Sequence, residues 1–385
     1  MFEALYIHVP FCVTKCIYCD FNSIDYKLRQ VDAYLEALER DLERISPIQP
    51  RTIFVGGGTP TSLSVKQMER FRASILRWVD FSRAEEFTVE ANPGTVDVYK
   101  LQILQEMGVN RMSFGAQSFH PEILKFLGRI HDANQIEQSI RLAHQVGFSN
   151  VSLDLIFGVP GQTLSGLDED LTRALALGTT HLSIYDLIYE RGTKLNQLRS
   201  QKKVVPIPEE LELKMFERIW ETLSSAGLQQ YEISNYARPH YACQHNLIYW
   251  KMGTYQAVGP GAHGFDGTRR FSLVQNIQKY TEKLMNRESP IVFTERLNSE
   301  QKIRECLMMG LRLTEGLAEA DFQAYTGVDF SILSEPLEFL ITKSWMVQNA
   351  SSIALTREGQ KMADSVILYL AEHLVFQAEC KTPSY

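Results

Sequence analysis

The segment Cys12-Val-Thr-Lys-Cys16-Ile-Tyr18-Cys19 places three cysteines within eight positions, directly after a predicted strand at residues 5–9. Spacings of four and three residues would put the thiols on one face of a helix, and a wound loop would gather them equally well. Zinc requires a fourth ligand, such as His8, whereas a [4Fe–4S] cluster on three thiolates keeps one iron open. The spacing favours the cluster, with zinc and unligated thiols as alternatives.

The other three cysteines, Cys243, Cys306 and Cys380, are isolated in the sequence and are predicted to be small buried hydrophobic residues. Six cysteines in 385 residues are too few for a disulfide scaffold. The first ten residues carry neither a basic segment nor a small-residue cleavage site. Together these features predict a cytoplasmic protein.

The composition is that of an ordinary globular chain, with 44% hydrophobic and 22% charged residues, which excludes disordered, collagen-like and coiled-coil classes. The 39 basic and 46 acidic residues give a net charge of −7. Because binding to phosphates needs clustered positive charge, this balance argues against a nucleic-acid partner or an anionic membrane surface. No apolar run reaches the ~18 residues of a membrane span.

Short apolar runs alternate with helical patterns six times in the first part of the chain. The predicted strands cover residues 5–9, 52–55, 87–90, 111–115, 151–156 and 181–187, and apolar residues at three- and four-residue spacing follow each one. Asp32 is predicted to cap the first helix. Six βα units predict an α/β fold with a parallel sheet, either doubly wound or curled into an incomplete barrel, with ligands beyond the carboxyl ends of the strands.

The sequence predicts three regions. Residues 1–228 hold the six βα units, residues 229–294 form an aromatic and histidine-rich connecting segment, and residues 295–385 form a small, mainly helical domain. In the last region the predicted helices cover residues 300–311, 319–325, 332–343 and 358–376, with an apolar hairpin at 345–355. Helices combined with a hairpin suggest a winged-helix-like module, and its modest charge gives no sign of DNA binding.

Glycines and buried polar residues stand at the predicted strand ends. Gly56-Gly57-Gly58-Thr59-Pro60 follows the second strand, and three glycines in a row indicate an unusual turn or close approach to a ligand. Glu90, Gln117 and Asp154 stand at or near the ends of strands three, four and five. A carboxylate in an apolar strand needs a partner, so Glu90 and Asp154 could each belong to a structural ion pair. Three polar residues on one face of the barrel instead favour a shared ligand.

A third candidate site is the motif His245-Asn-Leu-Ile-Tyr249-Trp250, with His263 in the glycine-rich segment that follows. One interpretation is purely structural: the aromatic residues pack as a cap on the fold, and the imidazole of His245 is hydrogen-bonded within it. A planar macrocycle such as haem instead uses stacking aromatics and an axial imidazole, which Tyr249, Trp250 and His245 offer. His263 is the reserve ligand, and a loop here could lie across the barrel mouth.

The cysteine motif resembles the signature of the radical S-adenosylmethionine (SAM) superfamily, including the aromatic Tyr18 before the last cysteine. The resemblance implies a partial (β/α)6 barrel and a [4Fe–4S] cluster on Cys12, Cys16 and Cys19, whose open iron is chelated by SAM. It also implies that the GGGTP segment contacts the SAM amino group. The positions that align with SAM-contacting residues of the HemN-like branch are Tyr6, Gly57, Gly58, Thr59, Glu90, Gln117, Arg129 and Asp154, with Tyr18 from the signature.

Within this branch the H-N-x-x-Y-W motif resembles most closely the HemW haem chaperones. Two other readings are an oxygen-independent coproporphyrinogen III dehydrogenase and a radical SAM enzyme with an unrelated substrate. The dehydrogenase motif continues with a fourth cysteine after a longer amino-terminal arm, whereas here Asp20-Phe21-Asn22 follows Cys19. The resemblance therefore implies a chaperone rather than an enzyme. Its expected partners are haem and acceptor haem proteins, with respiratory-chain components at the membrane as candidates and a homodimer left open.

Overall fold

The structure is a computed structural model that describes residues 2–374. The described chain divides into two compact units. The first comprises residues 2–230, 234–248 and 253–296, and the second comprises residues 231–233, 249–252 and 297–374. Cys380 and Phe376, the latter the predicted end of the last helix, lie outside the described residues.

Seventeen strands occur in the described part of the chain. In chain order they are β1 (Ala4–Val9), β2 (Phe11–Cys12), β3 (Ile24–Asp25), β4 (Thr52–Gly57), β5 (Glu86–Ala91), β6 (Arg111–Gln117), β7 (Asn150–Phe157), β8 (His181–Asp186), β9 (Gln229–Glu232), β10 (Asn235–Ala237), β11 (Tyr255–Val258), β12 (His263–Phe265), β13 (Arg269–Leu273), β14 (Ile291–Arg296), β15 (Leu317–Ala318), β16 (Met346–Gln348) and β17 (Ser352–Leu355).

Fifteen α-helices occur in the same residues. They are α1 (Leu28–Ile45), α2 (Val65–Trp78), α3 (Val98–Glu106), α4 (Pro121–Leu127), α5 (Ala133–Val146), α6 (Leu164–Ala176), α7 (Lys194–Ser200), α8 (Glu209–Ser225), α9 (Gln244–Trp250), α10 (Ile277–Met285), α11 (Ser299–Gly310), α12 (Glu319–Thr326), α13 (Ser334–Thr342), α14 (Arg357–Gln360) and α15 (Ala363–Glu372). Short 3₁₀ helices cover Pro60–Ser62 and Phe330–Leu333.

The six predicted strands are β1, β4, β5, β6, β7 and β8, and they lie side by side in chain order with parallel pairing throughout. A doubly wound sheet would reverse its strand order near the middle, so this order confirms the incomplete barrel. The sheet is open, and its full order is β14-β13-β12-β11-β1-β4-β5-β6-β7-β8-β10-β9. All six parallel strands point their carboxyl ends the same way, which brings the residues after them together.

Residues alternate between the two faces of each parallel strand. On β4, Ile53 and Val55 pack into the main hydrophobic core, while Thr52, Phe54 and Gly56 occupy the alternate positions and face the barrel interior. Several helix starts follow the expected capping chemistry; Ser64, for example, forms a capping box at α2. The prediction that Asp32 caps the first helix is wrong, because α1 begins earlier, at Leu28. The Asp32 carboxylate instead accepts a hydrogen bond from Gln67 Nε2 at 3.1 Å.

The predicted connecting segment contributes strands to the sheet. β11 pairs in parallel with β1, and β12, β13 and β14 extend that side by antiparallel pairing. On the other side, β10 pairs antiparallel with β8. These strands have three to six residues and glycines between them, so their sequence pattern is too short to distinguish them from loops.

The second unit has its own core, which includes Leu307, Phe322, Leu340 and Ile353. It combines α11 to α15 with a three-stranded antiparallel sheet in the order β15-β17-β16. The predicted last helix is interrupted between α14 and α15. In the described residues, no helix combines the length and the apolar character that crossing a membrane requires.

Candidate functional site

The three cysteines lie on a loop, which settles the choice between a helical face and a wound loop. Cys12 ends β2, and the chain is not helical from there to β3. The Ile17 backbone anchors the loop: its N–H donates to the Leu127 carbonyl at 3.2 Å, and its carbonyl accepts from the Leu195 N–H at 2.8 Å. Helices α4 and α7 therefore help to position the cysteines.

A pocket of about 380 Å³ opens at the carboxyl ends of the parallel strands. Ten of the residues predicted from the sequence line it, namely Cys12, Cys16, Tyr18, Cys19, Gly57, Gly58, Glu90, Gln117, Arg129 and Asp154. Two of the residues predicted to contact SAM lie outside its lining. Tyr6 shares a hydrogen bond with His8 Nδ1 at 3.0 Å, and the buried Thr59 hydroxyl donates to Cys12 Sγ at 3.6 Å.

The arrangement of the thiols bears on which metal group fits. Among the described residues, no three His, Cys, Asp or Glu side chains converge closely enough to hold a single metal ion. Both nitrogens of the proposed fourth zinc ligand, His8, are hydrogen-bonded, since Nε2 lies 2.8 Å from the Asn22 carbonyl. The thiolates of a cubane cluster each bind a different iron, so they stand further apart than ligands of one ion. The donor set therefore fits a [4Fe–4S] cluster better than zinc.

Burial and charge act on the thiols in opposite directions. Burial raises the pKa of Cys12, and it raises the pKa of Cys19 to about 11, so both thiols hold their protons in the absence of a metal. Arg129 donates a hydrogen bond to Cys16 Sγ at 3.4 Å and lowers the pKa of Cys12 through its charge. A metal that binds these sulfurs releases their protons.

Two of the carboxylates on the pocket wall, Glu90 and Asp154, were predicted from the sequence. Burial, and secondarily the charge of Asp154, raises the pKa of Glu90 to about 7, while the Gly57 N–H that Glu90 accepts at 3.1 Å acts the other way. Burial also raises the pKa of Asp154, whose carboxylate accepts from the Ser113 hydroxyl at 3.2 Å. Both carboxylates are arranged to receive a cationic or hydroxyl-bearing ligand, because pairing would offset their desolvation.

Three residues adopt constrained geometry at the strand ends. Gln117 has a φ of 71°, a left-handed backbone conformation that is uncommon for residues other than glycine. It lies where the pairing of β6 with β7 shifts register. Gly57 has φ 102°, and a Cβ there would collide with the His8 imidazole. A Cβ at Gly58 would lie 2.6 Å from the Phe11 carbonyl oxygen. The glycine run is therefore required by the chain's own packing.

The pocket also contains residues that the sequence analysis did not single out as ligands. Asn92, directly after β5, and Ser113, within β6, line the wall together with Asp186 at the end of β8. Asn92 follows Glu90 by two residues, and Asp186 ends the sixth strand. The rule that ligands gather at strand ends could have identified both of them.

The predicted haem ligand His245 lies at the opposite end of the barrel, which corrects the expectation of a loop across the mouth. Its Nδ1 is 2.8 Å from the hydroxyl of Thr52, the first residue of β4. The carboxylate of Glu86, the first residue of β5, accepts the backbone N–H groups of Gln244 at 2.9 Å and His245 at 3.0 Å. Glu86 thus anchors α9 at the amino ends of the strands, about 16 Å from Gly57 along β4.

His245 is 0% exposed, and its ring lies 5.2 Å from that of Phe54. Burial lowers its pKa to about 3, so the imidazole is neutral. Tyr249 and Trp250 belong to the second unit, where the Arg312 guanidinium lies 5.3 Å over the Trp250 ring. The reserve ligand His263, the first residue of β12, is exposed.

Comparison with known proteins places the chain in a family. Residues 6–174 match the radical SAM superfamily, and residues 297–361 match the HemN C-terminal domain. The chain is 38% identical over 372 residues to heme chaperone HemW of Bacillus subtilis, covering 94% of this chain and 98% of that protein. It is 35% identical over 375 residues to heme chaperone HemW of Escherichia coli, covering 96% and 98%.

A solved structure supports the fold. Coproporphyrinogen III oxidase (HemN) from Escherichia coli superposes with a TM-score of 0.82 at 22% identity, over 96% of this chain and 90% of that one. The shared barrel, the carboxyl-terminal domain and the near-full-length relatives agree with one another. The chain therefore belongs to the radical SAM superfamily and, within its HemN-like branch, to the HemW family.

Proposed function

We propose that this protein is a haem chaperone that binds haem, a [4Fe–4S] cluster and SAM, and delivers haem to acceptor haem proteins. The observation that carries the proposal is the pocket that Cys12, Cys16 and Cys19 line together with the polar strand ends. The relatives that match nearly the whole chain bear the name heme chaperone, which supports the haem part of the proposal.

The cluster would be held by the three cysteine thiolates, and its open iron would be available to SAM. When bound, such a cluster supplies an electron for the reductive cleavage of SAM. The chain's own residues position the sulfurs. Thr59 and Arg129 donate hydrogen bonds to two of them, and the Ile17 backbone fixes the loop between them.

SAM fits the charge of the pocket. It carries a sulfonium and an amino group, and the wall supplies the carboxylates of Glu90 and Asp154. We propose Glu90 as a hydrogen-bond acceptor for the ribose hydroxyls, and Gly57, Gly58 and Gln117 as backbone contacts. Tyr6 and Thr59 lie behind the lining, so we propose that they act by positioning His8 and Cys12.

The haem ligand requires a choice between two histidines. Coordination by the buried His245 would require α9 to leave Glu86 and Thr52. The His263 side chain reaches the surface, and its partial desolvation together with the charge of Arg270 lowers its pKa, which favours the neutral imidazole that binds iron. We propose His263 as the imidazole that reaches haem in this conformation. The stacking role of Tyr249 and Trp250 stays a prediction from the chemistry of the sequence motif.

The acceptors we propose are haem proteins, with respiratory-chain components at the membrane as the first candidates. A homodimer is a further proposal, and the cysteine pattern supports the cytoplasm as the compartment. The alternative activity, oxygen-independent oxidation of coproporphyrinogen III, is disfavoured because Asp20-Phe21-Asn22 follows Cys19 without another cysteine.

One anaerobically reconstituted sample tests the proposal. Iron and sulfide analysis measures the cluster, calorimetry measures SAM binding, and absorption titration measures haem binding. We expect all three ligands to bind and coproporphyrinogen III to remain unoxidised. Detection of the vinyl product by chromatography would favour the dehydrogenase, and failure to bind haem would refute the chaperone.

A further inference from the structure

A chain of hydrogen bonds connects Cys16 to Cys12 through three other side chains. It begins at Arg129, whose Nη1 donates to Cys16 Sγ at 3.4 Å. The second terminal nitrogen, Nη2, donates to Asn92 Oδ1 at 2.5 Å and also to the Gly115 carbonyl. The guanidinium is thereby held between the cysteine loop and the ends of β5 and β6.

The chain continues from Asn92 with the same direction of donation. Asn92 Nδ2 donates to Thr59 Oγ1 at 2.7 Å, and the Thr59 hydroxyl donates to Cys12 Sγ at 3.6 Å. Along this path from Arg129 through Asn92 and Thr59, each hydrogen bond is donated in the direction of a cysteine sulfur. Consecutive hydrogen bonds of one direction polarise each other, so the positive charge of Arg129 acts on both sulfurs.

Asn92 is the residue on which this arrangement depends. A guanidinium only donates, and the Thr59 hydroxyl can accept one bond while it donates another. A group placed between them must therefore accept from the guanidinium and donate to the hydroxyl, and an amide does both. Its place is set by β5, which ends at Ala91, and by Pro93, which restricts the backbone of the preceding residue.

We infer that Asn92 is a positioning residue that, through Thr59 and Arg129, raises the reduction potential of a cluster held by Cys12 and Cys16. Reduction adds an electron to the cluster, and donors to its sulfurs stabilise the added negative charge. This inference rests on the proposed cluster and is independent of haem. Asn92 acts through its two neighbours, so its effect is on the potential rather than on the presence of the cluster.

The test is a redox titration of the reconstituted full chain, followed by electron paramagnetic resonance. Asn92→Ala removes the bridge, and Asn92→Asp keeps the acceptor for Arg129 but loses the donor to Thr59. Both variants should shift the midpoint potential to more negative values. We expect the ratio of reduced to oxidised cluster at a fixed potential to fall about tenfold, equivalent to about 59 mV for one electron.

Ser113→Ala is the matched control, because Ser113 lines the same wall but donates its hydrogen bond to Asp154 rather than to a thiol. The midpoint potential of the cluster in this variant should equal that of the wild type. If the Asn92 variants do not hold a cluster, the variants Thr59→Val and Thr59→Ser test the inference in their place. Thr59→Val should lower the midpoint potential of the cluster, and Thr59→Ser should keep the wild-type value. Wild-type potentials in Asn92→Ala and Asn92→Asp, or in Thr59→Val, would overturn the inference. A wild-type protein without a cluster would overturn the proposed function as well.

Discussion

The Gly57 backbone N–H donates a hydrogen bond to the Glu90 carboxylate at 3.1 Å and so joins the ends of β4 and β5. This single bond does not compensate for the burial of the carboxylate, and the pKa of Glu90 rises from 4.5 to about 7. Below pH 7 the folded chain therefore holds a proton that the unfolded chain releases above about pH 4.5. Glu90 lowers the stability of the ligand-free protein progressively as the pH rises through this window.

Glu90→Gln should remove this pH dependence, because a neutral amide keeps an acceptor for Gly57 and does not titrate. The free energy of unfolding of the variant, measured by urea denaturation at several pH values, should exceed that of the wild type most at pH 8. The difference should shrink towards pH 4.5. A constant difference across the range would show that Glu90 is ionised throughout.

The same residue is predicted to contribute to SAM binding. Replacing Glu90 by alanine removes the acceptor, and we expect SAM affinity to fall by roughly 1 to 3 kcal/mol because a charged hydrogen bond is lost. Calorimetry on the reconstituted protein provides the measurement. Equal affinities for Glu90→Ala and wild type would exclude Glu90 as a SAM contact.

Gly57→Ala should destabilise the fold by about 3 kcal/mol, since a Cβ at φ 102° is strained and collides with His8. Gly161→Ala is the matched control: Gly161 has φ 86°, and a Cβ there meets nothing within 4 Å. That variant should lose about 1 kcal/mol. Similar losses of unfolding free energy in both variants would show that the collision with His8 is relieved.

Serine at Cys12, Cys16 or Cys19 should abolish the cluster, because each thiolate binds a separate iron. The wild type should contain about four iron and four sulfide per chain after anaerobic reconstitution. Cys243→Ser, at a cysteine buried at the other end of the barrel beside Glu86, should retain the full iron content. Stoichiometric zinc in an iron-replete preparation would contradict the cluster.

The two histidines should respond differently to substitution. His263→Ala should shift the Soret band and weaken haem binding, because it removes the exposed imidazole. His245→Ala should keep the haem spectrum and lose about 1 to 3 kcal/mol of unfolding free energy with the buried bond to Thr52. Loss of the haem spectrum in a folded His245→Ala variant would instead show that α9 opens and that His245 binds iron.

The parallel strands could be predicted from the sequence to within a few residues. Strands such as β7 are nearly continuous buried runs bounded by turns, which is the pattern of a central parallel strand. The pocket could be anticipated because Cys12, Glu90 and Asp154 follow strands whose carboxyl ends meet. The hydrogen bond between Asn92 and Arg129 could not be predicted, because the two residues are 37 positions apart and their contact depends on side-chain geometry.

The placement of His245 could not be predicted for a similar reason. The motif follows the last βα unit, and nothing in its own residues specifies which end of the sheet it will occupy. Its position depends on Glu86, 159 residues earlier, whose carboxylate receives the first N–H groups of α9. Histidine next to aromatics suggests haem, whereas the structure pairs the same imidazole with Thr52 and Phe54.

Haem delivery to an acceptor protein tests the proposed chaperone function directly. The reconstituted protein is loaded with one equivalent of haem and mixed with an excess of an apo haem protein, and the Soret band of the acceptor is followed by absorption. We expect the acceptor band to grow as the donor band declines, at a rate distinct from that of free haem. A protein that binds no haem, or whose haem reaches the acceptor only as fast as haem free in solution, would contradict it.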